Sequence, residues 1–269
     1  MQIDKDLFTA KMYHGLKSLL VPGDKLPPRF LEFALCDAFG MTPKGDGNYY
    51  ADGVKYNVPT STTPINVQAS IKSIGLSPDT RKDTTKCRDF QTHPVKFLGY
   101  QFNHKQGKVT NGIQIIQRRQ AIEGDDLTAT PEFVGEQSIK GFNDNLEESS
   151  KKFDAKDSYE IIIVHGYNFD LTKYLANVYW QPYKSLDHTA IKWERDQKAK
   201  SVVGYSTVNI DGEDRKVKVC ERFNGNSKRL ATIFAEYKNP TMYQNAAQFS
   251  LPIPEPWEFD KDKILKEMQ

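Results

Sequence analysis

The sequence predicts a mixed α/β domain, and three observations carry that expectation: two helical segments within residues 4–40, an alternating hairpin within 49–73, and an unbroken apolar strand at 159–165. Residues 4–20 place Leu7, Tyr13, Leu16, Leu19 and Leu20 at three- and four-residue steps, so they read as a helix that Val21, Pro22 and Gly23 stop. Pro27 and Pro28 open a second helix, Phe30, Leu31, Phe33, Ala34, Leu35 and Ala38 supply its apolar surface, and Gly40 is placed to end it. Apolar nearly all round, this helix is expected to be buried.

Turn residues fill 42–48, and two strand-like segments follow at 49–58 and 65–73, joined by Pro-Thr-Ser-Thr-Thr-Pro. They form a hairpin. Its second strand alternates, with Ile65, Val67, Ala69 and Ile71 on one face and Asn66, Gln68, Ser70 and Lys72 on the other. From 75 to 157 the signal weakens to strands at 95–102 and 113–119, and the polar stretch 123–157 carries no assignment. YEIIIVH at 159–165 has the continuous apolar character of a strand covered on both faces, with 171–180 expected to be helical behind it. The last part is basic: Lys192, Arg195, Lys198, Lys200, Arg215, Lys216, Lys218, Arg222, Lys228 and Arg229 alternate with the strand formers Val202, Val203, Val217 and Val219. The expected organisation is a core over 1–190 with an insertion near 75–157, and a strand-rich basic part over 191–269 packed on the same domain.

With 38% hydrophobic residues among 269, the chain can furnish a sizeable core, so disorder is not expected. Its 37 basic and 35 acidic residues nearly cancel, and any affinity for a polyanion must come from local clustering. No stretch approaches the roughly 20 apolar residues of a membrane helix, and MQIDKDLFTAK lacks the apolar core of a secretory signal. Cys36, Cys87 and Cys220 are odd in number and unpaired in spacing, which predicts neither disulfides nor a zinc knuckle and points to the cytoplasm.

The chemistry concentrates between Glu32 and Lys72. Asp52 sits near the start of the first hairpin strand, and Gln68, Ser70 and Lys72 share the polar face of the second. Paired strands lie only about 5 Å apart, so a carboxylate on one converges with the polar groups of the other on a spot able to hold a divalent cation. These segments resemble the PD-(D/E)xK nucleases, the superfamily of most type II restriction endonucleases, through Glu32 in RFLEFALCDAFG, Asp52 in YYADGVKYNV, and Ser70 and Lys72 in INVQASIKS. The resemblance covers about the first 75 residues, with YEIIIVH as a later core strand. Ala51 replaces the motif's proline, and Ser70 stands where an acid is usual.

The resemblance implies a restriction-endonuclease-like core, a central mixed sheet flanked by helices, that hydrolyses phosphodiester bonds in double-stranded DNA with Mg2+. Asp52 and Glu32 would then be metal ligands, Lys72 and Ser70 would complete the catalytic set, and a homodimer would cut both strands of a palindrome. Asp79 or Asp83 could complete the site if Ser70 does not bind metal. Within the basic part, Arg215, Lys218, Arg222, Asn224, Asn226, Lys228 and Arg229 suit phosphate and base-edge contacts. The same residues also fit a non-catalytic DNA-binding or phage-associated protein, a repair nuclease without sequence preference, or an ordinary solvated hairpin face.

Other chemistry has weaker support. Gly204, Tyr205 and Ser206 half resemble a nucleophile elbow but lack its second glycine. His165 ends a buried strand, where it could act as a base but reads more simply as a core-edge residue. His14, His93, His104 and His188 lack metal-ligand spacing, and no phosphate-binding glycine motif occurs.

Overall fold

The computed structural model describes residues 1–19, 25–44, 51–76, 96–103, 130–167, 172–183, 185, 187–196, 201–210, 212–222, 229–236 and 245–253. Helix α1 (Lys5–Lys17) begins where Asp4 accepts the Leu7 amide at 3.0 Å, and it buries Phe8, Met12, Gly15 and Leu16. A side chain at Gly15 would meet the Phe30 ring at 2.5 Å, so the glycine permits the close approach of the next helix, α2 (Pro28–Ala38). Gly40, at φ +65, closes α2: its N–H bonds to Asp37 O at 2.9 Å and the Met41 N–H to Cys36 O at 2.7 Å. Complete burial of α2 is not what the fold produces. Leu31, Ala34, Leu35, Cys36 and Ala38 are buried, whereas Phe33 is 43% exposed beneath the Arg29 guanidinium, because only one stripe of this helix faces the sheet.

The central sheet contains β1 (Thr42–Pro43), β2 (Gly53–Val58), β3 (Ile65–Leu76), β5 (Ala155–Tyr167), β6 (Lys173–Pro182) and β11 (Asn245–Pro252), in the spatial order β1-β2-β3-β5-β6-β11. The expected hairpin is the antiparallel β2/β3 pair, with Gly53 opposite Ala69. β3 and β5 run parallel, Ser70 beside Glu160 and Lys72 beside Ile162; all other pairs in this sheet are antiparallel. A parallel pair needs a long crossover, and here the crossover includes helix α3 (Pro131–Phe153). Chain order through this part is therefore α2, three antiparallel strands, a strand of the second sheet at 96–103, α3, then a strand parallel to β3.

The helix expected over 171–180 is a strand. KYLANVYWQP has a period of two: Tyr174, Ala176, Val178 and Trp180 enter the core, and the whole segment pairs with β5 and β11. Alanine and leucine within it suggest a helix, but alternation and cross-strand packing of aromatics override that propensity. The unassigned polar stretch is largely α3, capped by Thr130 and terminated by Asp154 at φ 47. Among its described residues the buried positions are Val134, Gly135, Ile139, Leu146 and a serine, Ser149.

One apolar core lies between α1, α2 and the sheet face that carries Ala69, Ile71, Ile161 and Ile163. Ile162 and Val164 point to the opposite face and are also buried, so YEIIIVH is indeed covered on both sides. Each of these isoleucines contributes about 1.5–3 kcal/mol by leaving water.

A second, antiparallel sheet contains β4 (Lys96–Asn103), β7 (Lys192–Asp196), β8 (Ser201–Ile210), β9 (Glu213–Arg222) and β10 (Arg229–Glu236), in the order β4-β10-β9-β8-β7. β4 corresponds to the strand expected at 95–102, and the one expected at 113–119 lies outside the described residues. Strands from either side of residue 190 share both sheets. Among the described residues no helix is long and apolar enough to cross a membrane.

Candidate active site

Asp52 lies one residue before β2, and three elements fix its backbone. Its N–H bonds to Ala69 O at 2.8 Å on β3, while its C=O accepts the Lys44 N–H at 2.8 Å and the Cys36 thiol of α2 at 3.8 Å. The hairpin register then brings its side chain to the level of Ser70. Oδ2 of Asp52 accepts the Ile71 N–H at 2.6 Å, the Lys72 ammonium at 3.1 Å and the Ser70 hydroxyl at 3.3 Å. Lys72 Nζ also donates to Ile71 O at 3.1 Å. Only 25% of the Lys72 side chain and 27% of Asp52's is exposed, so the pair sits in a recess instead of on an open strand face.

Glu32, on α2, lies within electrostatic range of this pair. Burial raises its pKa, the Asp52 carboxylate raises it further, and the Lys72 and Arg29 charges oppose both. Asp52, Ser70 and Lys72 thus meet at one locus, from the residue before β2 and from β3, with Glu32 of α2 in electrostatic range. Among the described residues no three His, Cys, Asp or Glu side chains cluster closely enough to hold a metal by themselves. Asp79 and Asp83 lie outside the described residues.

Gln68, two residues before Ser70, is fully buried and Ser70 is buried too, so the middle of the polar face of β3 is interior, with Asn66 and Lys72 half-buried at its ends. Gln68 Nε2 donates to Ser150 Oγ at 2.7 Å and Ser158 Oγ at 2.9 Å, and its Oε1 accepts the Ser149 hydroxyl at 2.6 Å. Ser149 Oγ in turn accepts the Ala51 N–H at 3.3 Å, so α3 holds the residue next to Asp52. Ser149→Ala strands both the Ala51 amide and Gln68 Oε1 in the interior, at an expected cost of about 1–3 kcal/mol read as a lower urea midpoint. An unchanged midpoint would show that this relay contributes nothing.

Comparison with family models, curated proteins and solved structures finds no match. The local geometry therefore carries the functional reading.

Glu160, which sequence reasoning passed over, is the acid inside YEIIIVH and is only 3% exposed. Burial pushes its carboxyl up to about 7, against a hydrogen bond from Gln181 and the Lys72 charge. An acid in an otherwise apolar strand was the available signal.

His165 is a core residue. Its Nδ1 lies 2.5 Å from Tyr174 Oη, which accepts the Leu26 N–H at 3.3 Å, and burial lowers its pKa to about 4. Burial likewise pushes the Cys36 thiol up to about 12 and makes it a poor nucleophile. Ser206 lies within β8, on no strand-to-helix turn. Of the basic residues, Arg215, Lys218 and Arg222 lie on β9 and Arg229 on the neighbouring β10, while Asn224, Asn226 and Lys228 fall outside the described residues.

Proposed function

We propose that this chain is a magnesium-dependent DNA endonuclease of the PD-(D/E)xK type. The observation that carries the reading is the meeting of Lys72, Ser70 and Asp52 at one carboxylate oxygen, with Glu32 within electrostatic reach. The order of helix, three antiparallel strands, helix and parallel strand within the central-sheet layer, interrupted by β4 of the second sheet, supports it further.

The donor atoms suit a hard divalent cation. Asp52 Oδ2 and Ile71 O each lie 3.1 Å from the Lys72 nitrogen, so two oxygens already converge on a positive charge. Magnesium takes one or two carboxylates and keeps several waters, so Asp52, Glu32 and the Ile71 carbonyl would hold it without a third acid. When bound, it lowers the pKa of a water and offsets charge on the phosphate. In the hydrolysis a water oxygen forms the new bond to phosphorus, the bridging P–O bond breaks, and the departing oxygen ends protonated. Lys72 donates to the attacking water or a non-bridging oxygen and balances the charge that grows there. Ser70 and the Ile71 amide hold Asp52 in place by donating to Oδ2.

The reading extends to a site-specific enzyme of restriction type, a homodimer whose basic C-terminal strands and their connecting segments contact DNA. Plasmid incubated with purified protein and magnesium tests it. Discrete bands are expected, and Asp52→Asn should abolish them while leaving fold and DNA binding intact. A smear would mean a nuclease without sequence preference. A gel shift without cutting would overturn the reading in favour of a DNA-binding protein. Removing charge at Arg222, Lys228 or Arg229 should flatten the salt dependence of binding by about one unit of slope for each phosphate that is no longer neutralised.

A further inference from the structure

We propose that Lys44 and Lys152, held over the rings of Tyr56 and Phe153, form a phosphate-binding patch that grips one strand of the DNA beside the candidate active site. The patch deepens the reading above and rests on it for the choice of DNA as partner. Two rings and two ammoniums meet there from three elements. Lys44 Nζ lies 5.2 Å from the centre of the Tyr56 ring on β2 and 5.6 Å from that of Phe153, the last residue of α3. Lys152 Nζ lies 5.4 Å from the same Phe153 ring. Asn66 Nδ2 of β3 donates to Phe153 O at 3.0 Å and ties the end of α3 to the hairpin. Tyr56 is 43% exposed and Lys152 is exposed as well, so the cluster faces solvent.

Lys44 fixes where the patch stands relative to the site. Thr42 pairs with Val54 and Pro43 with Gly53, so Lys44 continues that register opposite Asp52, and its N–H donates to Asp52 O at 2.8 Å. Asp52 and Tyr56 are four residues apart on one extended segment, roughly 13 Å. Successive phosphates of one DNA strand advance about 3.4 Å along the helix axis, so the patch lies within a few nucleotides of a phosphate held at Asp52.

Charge decides the kind of partner. Several lysines elsewhere are matched with acids: Lys11 with Asp37, Lys140 with Asp144, Lys151 with Glu147, Lys156 with Asp154 and Lys216 with Glu194. Lys44 is different. It stands opposite a carboxylate in the sheet, yet that carboxylate takes Lys72, and among the described residues no acid forms an ion pair with Lys44. A carboxylate partner cancels the field of a lysine, whereas an aromatic face steadies the ammonium and leaves its charge for an outside anion. Bare rings would suit an apolar partner; rings that carry two ammoniums suit phosphates. Lys152, in the last turn of α3, also offsets the helix dipole, so the proposal turns on Lys44.

The test is equilibrium binding of a short fluorescent DNA duplex to the full-length protein in EDTA, which prevents cleavage, over a series of salt concentrations, with circular dichroism to verify folding. Lys44→Gln should weaken binding several-fold and reduce the slope of log K against log salt by about 0.9, the value of one phosphate contact. Lys44→Arg keeps the charge and should keep the slope. Lys140→Gln removes a lysine of α3 that Asp144 already pairs, and should change neither quantity. Lys152→Gln should also lower the slope and carries the test where Lys44→Gln does not fold. Parental affinity and slope in the folded Lys44 or Lys152 variant, or an equal loss in Lys140→Gln, would overturn the patch while leaving the nuclease reading intact. Binding that depends on Lys44 but is followed by no cleavage in magnesium would overturn the nuclease reading and leave the patch standing. A parent protein that binds no duplex would overturn both.

Discussion

Lys72→Met is expected to reduce single-turnover DNA cleavage by roughly 10²–10³-fold, the usual effect of removing one well-placed electrostatic stabiliser. The substitution keeps most of the apolar stem and deletes the charge that contacts Asp52 Oδ2 and Ile71 O. Asp52 retains its donors from Ser70 and the Ile71 amide, so the local backbone should hold. An ordinary solvated lysine behaves differently: its replacement changes stability by no more than about 0.5 kcal/mol and leaves chemistry alone. DNA binding should survive, because Lys72 acts chiefly as charge builds on the phosphate. The check is cleavage of a duplex containing the site under enzyme excess with magnesium, with circular dichroism to verify folding. A folded Lys72→Met protein cutting at the parental rate would remove the main support for a PD-(D/E)xK site.

Much of this locus was legible in the sequence because its geometry is local. Asp52, Ser70 and Lys72 belong to one hairpin, where a period of two and a short connection determine which side chains can meet. α2 was legible for the same reason, through its prolines and Gly40. Groups brought in by long-range pairing were not. Glu160 becomes a neighbour of Ser70 only through a parallel ladder closed across about 90 residues, and no short-range pattern encodes that register. Ser149 lies in the polar stretch that carries no assignment in the sequence, and only α3 lays it against Gln68 and Ala51. The strand at Lys173–Pro182 was misread because its intrinsic preferences are mixed and its partners, β5 and β11, decide the outcome.

The other large effect is expected at Gly135, where helix propensity and tertiary packing predict opposite signs. Gly135 lies inside α3, and in an open helix glycine to alanine stabilises by about 0.5–1 kcal/mol. Here a Cβ would collide with the indole of Trp193 on β7, striking the rigid fused edge of the ring and not a flexible side-chain end. The same ring packs against Gly204 of β8, where an added Cβ would come within 2.7 Å, so the indole has little room to retreat. Gly135→Ala should therefore destabilise by about 1–3 kcal/mol, the usual cost of overpacking. Gly135→Val adds a β-branch facing the same obstacle and should cost more. Trp193→Leu relieves the clash, and since Trp193 Nε1 is buried with no hydrogen-bond partner among the described residues, it removes no observed polar interaction. In that background Gly135→Ala should become neutral or stabilising, with a coupling of about 1–3 kcal/mol between the two positions. Urea denaturation of the four proteins in this cycle measures the coupling. A higher midpoint for Gly135→Ala in the parent, repeated unchanged in the Trp193→Leu background, would mean that α3 does not rest on the indole and that helix propensity alone governs this position.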